Sequence, residues 1–273
     1  MGGGRWLAGL ALALIVLTIV GAVVALAAQL APAALWTALG QRETLFAVGL
    51  SLRTSAIALA LALLLGVPAA YLLARHPFPG QAIVETVLDL PMVTPPLIAG
   101  MGLLFLLGRE APLGHVLADA GLTLLFSPAG VILAQTYVAT SIVVRSARAA
   151  FQAVDPDFAA VGATLGLAPV WVFLLVEVPM AGRGLLSAAV LGWSRALGEF
   201  GGTLMVAGAT RLHTETLPMA VFLNIASGET EIAIACALVL LGLAFVMLLT
   251  LRALAGEPSS LSRKPARHAR LVP

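Results

Sequence analysis

The chain carries six long and nearly uncharged apolar segments, and these limit its fold more than any other feature of the sequence. A helix needs about 20 mostly apolar residues to cross the hydrocarbon core of a bilayer. Hydrophobic residues make up 60% of the chain and charged residues 10%, whereas a soluble domain is normally about 25% charged. The sequence therefore predicts an all-α polytopic membrane protein with six spans, at residues 7–28, 46–73, 88–107, 128–144, 185–206 and 232–251.

The first apolar segment has two interpretations. It follows a single positive charge, as the apolar core of a secretory signal peptide does. Its apolar run is longer than the usual signal core of about 7–15 residues. We therefore expect a retained helix and keep the signal peptide as the alternative.

The distribution of Lys and Arg predicts that both termini face the cytoplasm, because the cytoplasmic loops of membrane proteins carry the excess of these residues. With both termini inside, ten of them fall on the inner side and four on the outer side. The chain then divides into a first helix with its outer loop (1–45), a core (46–252) and a basic tail (253–273). We expect the tail to be disordered and held near anionic lipid headgroups.

No cofactor site is expected in this chain. Its single cysteine excludes an intramolecular disulfide. Its four histidines are scattered, without the spacing of metal ligands. The phosphate-binding pattern G-x-x-x-x-G-K-[ST] is absent from the sequence. If the protein uses ATP, another chain must supply the ATPase, and we expect no nucleic-acid partner.

The longest predicted cytoplasmic loop, residues 145–184, contains a short helix. Asp155 is a suitable N-cap, Pro156 suits the first helical position, and Gly166 suits the C′ position. Three apolar residues between them share one face, namely Phe158, Val161 and Leu165. A helix of about ten residues is too short to be stable alone. It must dock, either on its own bundle, in the lipid headgroup layer, or in a groove of a cytoplasmic partner.

This loop resembles the signature of the membrane subunits of binding-protein-dependent ABC importers. That pattern runs Glu-Ala-Ala, three residues, Gly, nine residues, and then Ile-x-Leu-Pro. Gly166 stands at the glycine position, and the sequence VEVP, which ends at Pro179, follows nine residues later. The Glu-Ala-Ala positions hold Ala160, Val161 and Gly162, so the acidic residue of the family is missing.

Other stretches are similar to the permeases of molybdate, tungstate and sulfate importers. These stretches are GVPAAYLLAR, LDLPMVTPPLIAGMGLLFLLGREAPLG, ALGEFG and HTETLPMAVF. The resemblance implies a type I permease of a bacterial or archaeal cell membrane that imports an oxyanion, with molybdate or tungstate favoured over sulfate. It also implies a homodimer, two cytoplasmic ATPase subunits that use ATP-Mg, and an external binding protein.

The same resemblance implies that the loop helix is the coupling helix seated on the ATPase. ATP binding would draw two such helices together, and the spans would rock from inward-open to outward-open. The residues assigned to this contact are Asp155, Phe158, Ala160, Val161, Gly162, Leu165, Gly166 and Pro179.

Two charges interrupt the fifth apolar segment and indicate which of its faces turns inward. A charged side chain at the centre of a span costs about 2.5–3.5 kcal/mol on insertion scales. Arg195 and Glu199 are four residues apart, so on one helix they share a face and can pair. They indicate either a packing seam with an internal ion pair or a translocation path. The residues assigned to that path or its gate are Thr94, Pro95, Pro96, Arg195, Gly198, Glu199, Gly201 and Gly202.

Other functional classes fit the sequence less well. An intramembrane serine protease needs a Gly-x-Ser-Gly type motif, but Ser194 is followed by Arg195 and no histidine lies in a predicted span. A secondary transporter or channel often has internal repeats, and none is visible. An ABC permease for sulfate or another solute, such as an amino acid, phosphate or iron, stays open as the main alternative.

Overall fold

The computed structural model describes residues 3–255 of the chain, which form helices joined by short links. The first half contains α1 (Gly3–Ala28), α2 (Pro32–Leu39), α3 (Arg42–Arg75), α4 (Gln81–Val93), α5 (Pro96–Leu107), α6 (Pro112–Asp119) and α7 (Pro128–Gln152). The second half contains α8 (Asp157–Thr164), α9 (Pro169–Met180), α10 (Gly182–Leu197), α11 (Gly201–Ala207), α12 (Leu217–Ala226) and α13 (Thr230–Ala255). The expectation for the tail falls almost wholly on residues outside this range.

All six apolar segments are mainly helical, but only four of them lie in uninterrupted helices long enough to cross a bilayer. Those four lie at Trp6–Ala28, Arg42–Arg75, Pro128–Gln152 and Thr230–Thr250. Two further candidate spans are bent pairs, α4 with α5 at 113° and α9 with α10 at 79°. The described residues therefore contain four spans, or six when each bent pair counts as one.

The third and fifth predicted spans are wrong as single helices. The third begins earlier, at Gln81, and breaks at Thr94, whose extended backbone (ψ 133°) precedes a proline that disfavours the helical conformation. The fifth breaks after Leu197, and the helix resumes at Gly201. Glycine costs about 1 kcal/mol relative to alanine inside a helix, so the glycines around this break weaken helix continuation.

The centre of the bundle is a contact of α3, α7 and α10 through small side chains. Ala58, Ala62, Ala139, Val143 and Ala196 form a wholly buried cluster there. Small residues let helices approach closely inside a membrane. By contrast, none of the apolar window of α1 is buried, so α1 lies outside this core and contacts α13.

Candidate functional site

The two helix breaks meet at one open cavity of about 380 Å³. Its lining comes from the start of α5 and from the link between α10 and α11, namely Pro95, Pro96, Leu97, Arg195, Gly198, Glu199, Phe200 and Gly201. Six of the eight residues assigned to the path therefore line one cavity. Thr94 is outside the lining, and Gly202 lies directly behind it.

The cavity exists because α5 and α11 pack backbone against backbone. A Cβ atom added to Gly100 would lie 2.7 Å from the Cα atom of Gly202 and 2.8 Å from its carbonyl oxygen. A Cβ atom on Gly201 would lie 2.9 Å from the backbone nitrogen of Leu97. Real Cβ atoms essentially never approach other atoms so closely. The glycines therefore hold the two breaks side by side.

A buried carboxylate spans the break between α10 and α11. One oxygen of Glu199 accepts a hydrogen bond from the guanidinium of Arg195 at 2.5 Å, and the other accepts the backbone N–H of Gly202 at 2.8 Å. The Glu199 side chain is 0% exposed and that of Arg195 is 31% exposed. These are the charged residues of the cavity lining, so the lining has no net charge.

The predicted ion pair forms, but its two residues do not share one helix as predicted. Glu199 lies in the link and not on the helix that carries Arg195. The first residues of the link still follow a helical turn, because the N–H of Glu199 donates to the carbonyl of Ala196 at 3.2 Å. That turn keeps the two side chains within reach.

Two further buried polar side chains lie near the break and were not identified from the sequence. Gln135 on α7 and Thr203 on α11 are fully buried, and the amide atoms of the first and the hydroxyl of the second have no hydrogen-bond partner. Gly130 of α7 packs near Val206 and Ala139 near Gly192, which places Gln135 opposite the break. Buried polar groups are normally paired.

The short helix predicted in the loop is α8, and its C-terminal end is capped as expected. It begins at Asp157, so Pro156 stands at the N-cap position and not at the first helical position as predicted. A carboxylate oxygen of Asp155 accepts the N–H of Asp157 at 3.0 Å. Gly166 adopts φ +85°, a left-handed conformation that favours glycine. Its N–H donates to Ala163 at 3.0 Å and that of Leu167 to Gly162 at 3.2 Å, which is the Schellman arrangement.

The predicted apolar face of α8 is uncovered in the chain. Phe158, Val161 and Leu165 are exposed, the last by 78%. The opposite face rests on α9, where Gly162 is buried at ordinary contact distance from Val172. Exposed apolar surface of this kind marks a site of contact with a protein partner or with the membrane. Ala160 and Pro179 are also exposed.

A buried ion pair behind α8 was missed from the sequence. Glu177 is 1% exposed, and both of its oxygens accept hydrogen bonds at 2.8 Å from the guanidinium of Arg75. The same guanidinium donates to the carbonyl of Val154 at 2.9 Å. The one available signal was a lone carboxylate within an otherwise apolar stretch, since such a group needs a buried partner.

The sequence model of one family, described as "Binding-protein-dependent transport system inner membrane component", matches residues 62–257. The chain belongs to this family. The break cavity and the α8 loop both lie within the matched range, so this permease carries its candidate sites in the shared part of the family. Its relatives are transport permeases.

Several relatives of the permease carry names that include molybdenum transport. The chain is 36% identical over 214 residues to the "Molybdenum transport system permease protein ModB" of Mycobacterium tuberculosis, covering 78% of this chain and 81% of the relative. It is also 36% identical over 206 residues to the protein of that name in Escherichia coli, covering 74% of this chain and 90% of the relative. A "Probable molybdenum ABC transporter permease protein" of Haloferax volcanii is 37% identical over 227 residues, or 83% and 81% of the two chains.

Solved structures of ABC importers share the fold of the permease. A bacterial alginate ABC transporter matches with a TM-score of 0.68 at 17% identity, over 92% of this chain and 94% of the other. The MetNI methionine transporter matches with a TM-score of 0.60 at 15% identity, over 77% and 93%. These likenesses confirm the predicted all-α fold of a type I ABC importer permease.

Proposed function

We propose that this permease is the membrane-spanning subunit of an ATP-driven importer for molybdate or tungstate. The observation that carries the proposal is a cavity between two helix breaks, in a chain whose relatives are named for molybdenum transport. Sulfate is the second candidate, because it is also a tetrahedral dianion and belongs to the same group of importers.

In this proposal the oxyanion passes the cavity at the breaks, where Arg195 supplies the positive charge. Glu199 neutralises that charge within the same lining. A dianion therefore meets a cation that is already paired, and it is held weakly and released. Weak contact suits a permease, because selectivity then resides in the external binding protein and the path does not trap its cargo.

The proposed assembly is a homodimer with two cytoplasmic ATPase subunits and one external binding protein. Its cell-membrane orientation places α8 and both termini in the cytoplasm. One face of α8 packs on α9, and the opposite apolar face is exposed. This exposed face supports the proposal that a partner docks there. The permease binds no cofactor in this proposal, and ATP-Mg is used by the ATPase.

Uptake in cells tests the substrate. A strain that lacks molybdate uptake would express the permease with the ATPase and binding protein encoded beside it, and accumulation of radioactive molybdate would be measured. We expect accumulation that excess tungstate abolishes and equal sulfate leaves largely intact. Competition by sulfate but not by tungstate would make the chain a sulfate permease, and no anion uptake at all would contradict the proposal.

A further inference from the structure

One guanidinium holds both flanks of α8. Arg75 stands at the last position of α3. It donates to the carbonyl of Val154, three residues before α8 begins, and to both carboxylate oxygens of Glu177, which lies beyond the end of α8. The chain enters α8 just after Val154, and Glu177 lies in α9, the helix on which α8 packs, so the end of α3 is tied to both.

The surroundings make this junction firm. Tyr71, Phe151 and Phe173 pack around it with ring centroids 4.7–6.1 Å apart, and Glu177 is buried. The planar fork of an arginine matches a carboxylate with two parallel hydrogen bonds. A lysine carries its three donors on one nitrogen, so it lacks the planar fork that makes two parallel bonds to Glu177 together with the bond to Val154.

A continuous set of contacts leads from this junction to the break cavity. Arg75 ends α3, and α3 packs along α10 with the indole N–H of Trp193 donating to the hydroxyl of Ser55 at 2.9 Å. Ala196, on the next turn of α10, is buried in the cluster shared with α3 and α7. Arg195 of the cavity lies between Trp193 and Ala196 in sequence, so α3 contacts the segment of α10 that carries the cavity wall.

We propose that Arg75 is a positioning residue that makes α8 and α3 move as one body. The inference rests on the proposed function, because it takes α8 to be the element that the ATPase moves. With the junction intact, a displacement of α8 carries α3 with it, and α3 carries the α10 side of the cavity. With the junction loosened, α8 follows the ATPase while α3 stays behind, so ATP is hydrolysed without transport.

The test is the number of anions transported for each ATP hydrolysed, measured in proteoliposomes with the complete transporter and its binding protein. R75K keeps the charge and removes the fork, and E177Q keeps the shape and removes the charge. We expect both to lower the ratio about tenfold, within the 5–150-fold range of couplings between sites. ATP hydrolysis stimulated by the binding protein should persist.

The matched control is the ion pair between Arg148 and Glu85, which has the same 2.8 Å distance but joins α7 to α4. R148K should leave the ratio unchanged.

A ratio is independent of how much transporter assembles, so lower yield of R75K does not imitate uncoupling. If R75K and E177Q lose thermal stability but keep the wild-type ratio, the junction is structural only and the inference fails. If the wild-type complex itself shows no ATP-dependent uptake, the proposed function fails instead.

Discussion

Glu199 is the carboxylate on which the candidate path depends most, because it binds the side chain of Arg195 and the backbone of Gly202 at once. Hydrogen bonds to charged groups contribute about 1.5–3 kcal/mol, and each 1.4 kcal/mol is about a factor of ten. E199Q keeps the shape but leaves the guanidinium without its counter-charge. We expect anion uptake to fall about tenfold or more, with tighter apparent binding of the anion.

The measurement is the kinetics of radioactive molybdate uptake by E199Q at equal amounts of assembled transporter. E110Q is the control, because Glu110 is an exposed carboxylate outside the cavity lining. Wild-type uptake and assembly in E199Q would show that the ion pair is neither part of the path nor a structural contact.

A third buried carboxylate, Glu215, predicts how the stability of the protein depends on pH. Burial raises its pKa, and only one of its oxygens has a partner, the N–H of Leu212 at 3.1 Å. A carboxyl whose pKa is higher in the folded state stabilises the protein at low pH. That contribution is lost as the pH rises from the unfolded pKa through the folded pKa.

E215Q removes this loss, because an amide has no proton to release in that range. We expect the variant to exceed the wild type in stability by about 1 kcal/mol near neutral pH, the order of one hydrogen-bonded polar group. The advantage should disappear in acid. Thermal unfolding of both purified proteins, at pH values below and above the pKa range of Glu215, checks this expectation. A difference in stability that is the same at all pH values would contradict it.

At the scale of elements, the contact of α5 with α11 depends on the absence of a side chain at Gly100. G100A would push a methyl group into the backbone of Gly202, and overpacking of this kind costs about 1–3 kcal/mol. We expect reduced thermal stability and reduced uptake. G102A is the control on the same helix, because a Cβ atom at Gly102 meets nothing within 4 Å. Equal behaviour of the two variants would contradict the close packing.

The end of α8 gives a second prediction at this scale. Gly166 has a positive φ, and left-handed backbone costs other residues about 1–2 kcal/mol. G166V should therefore distort the turn after α8 and uncouple ATP hydrolysis from uptake. G182A is the control, because Gly182 lies outside α8 and a Cβ atom added there meets nothing within 4 Å. Normal uptake and normal stimulated ATPase activity in G166V would remove the coupling role from α8.

The sequence predicts the helices better than their breaks. A long apolar segment in lipid must be helical, because its backbone N–H and C=O groups can pair only within the segment. The break at Thr94 has a local cause in the prolines that follow. The break after Leu197 has no comparable local cause, because a few glycines weaken a helix only slightly. Its position depends on the packing of α11 against α5.

At the scale of the whole molecule, one buried ion pair depends on local sequence spacing and the other on tertiary packing. Arg195 and Glu199 are four residues apart, so local spacing was enough to predict their contact. Arg75 and Glu177 are 102 residues apart, and only the tertiary arrangement brings them together. The cavity depends on both local sequence and tertiary packing. Its residues were predicted from two separate stretches of sequence, but they line one cavity only because α5 and α11 pack together at the two breaks.

In the proposed function this permease moves an oxyanion only when a partner subunit hydrolyses ATP. The most direct test uses proteoliposomes that contain the permease and its ATPase, with binding protein and labelled molybdate on one side and ATP-Mg on the side of α8. We expect uptake that requires ATP, the ATPase and the binding protein together. Uptake that continues when ATP or the ATPase is left out would contradict it and indicate a channel or secondary transporter.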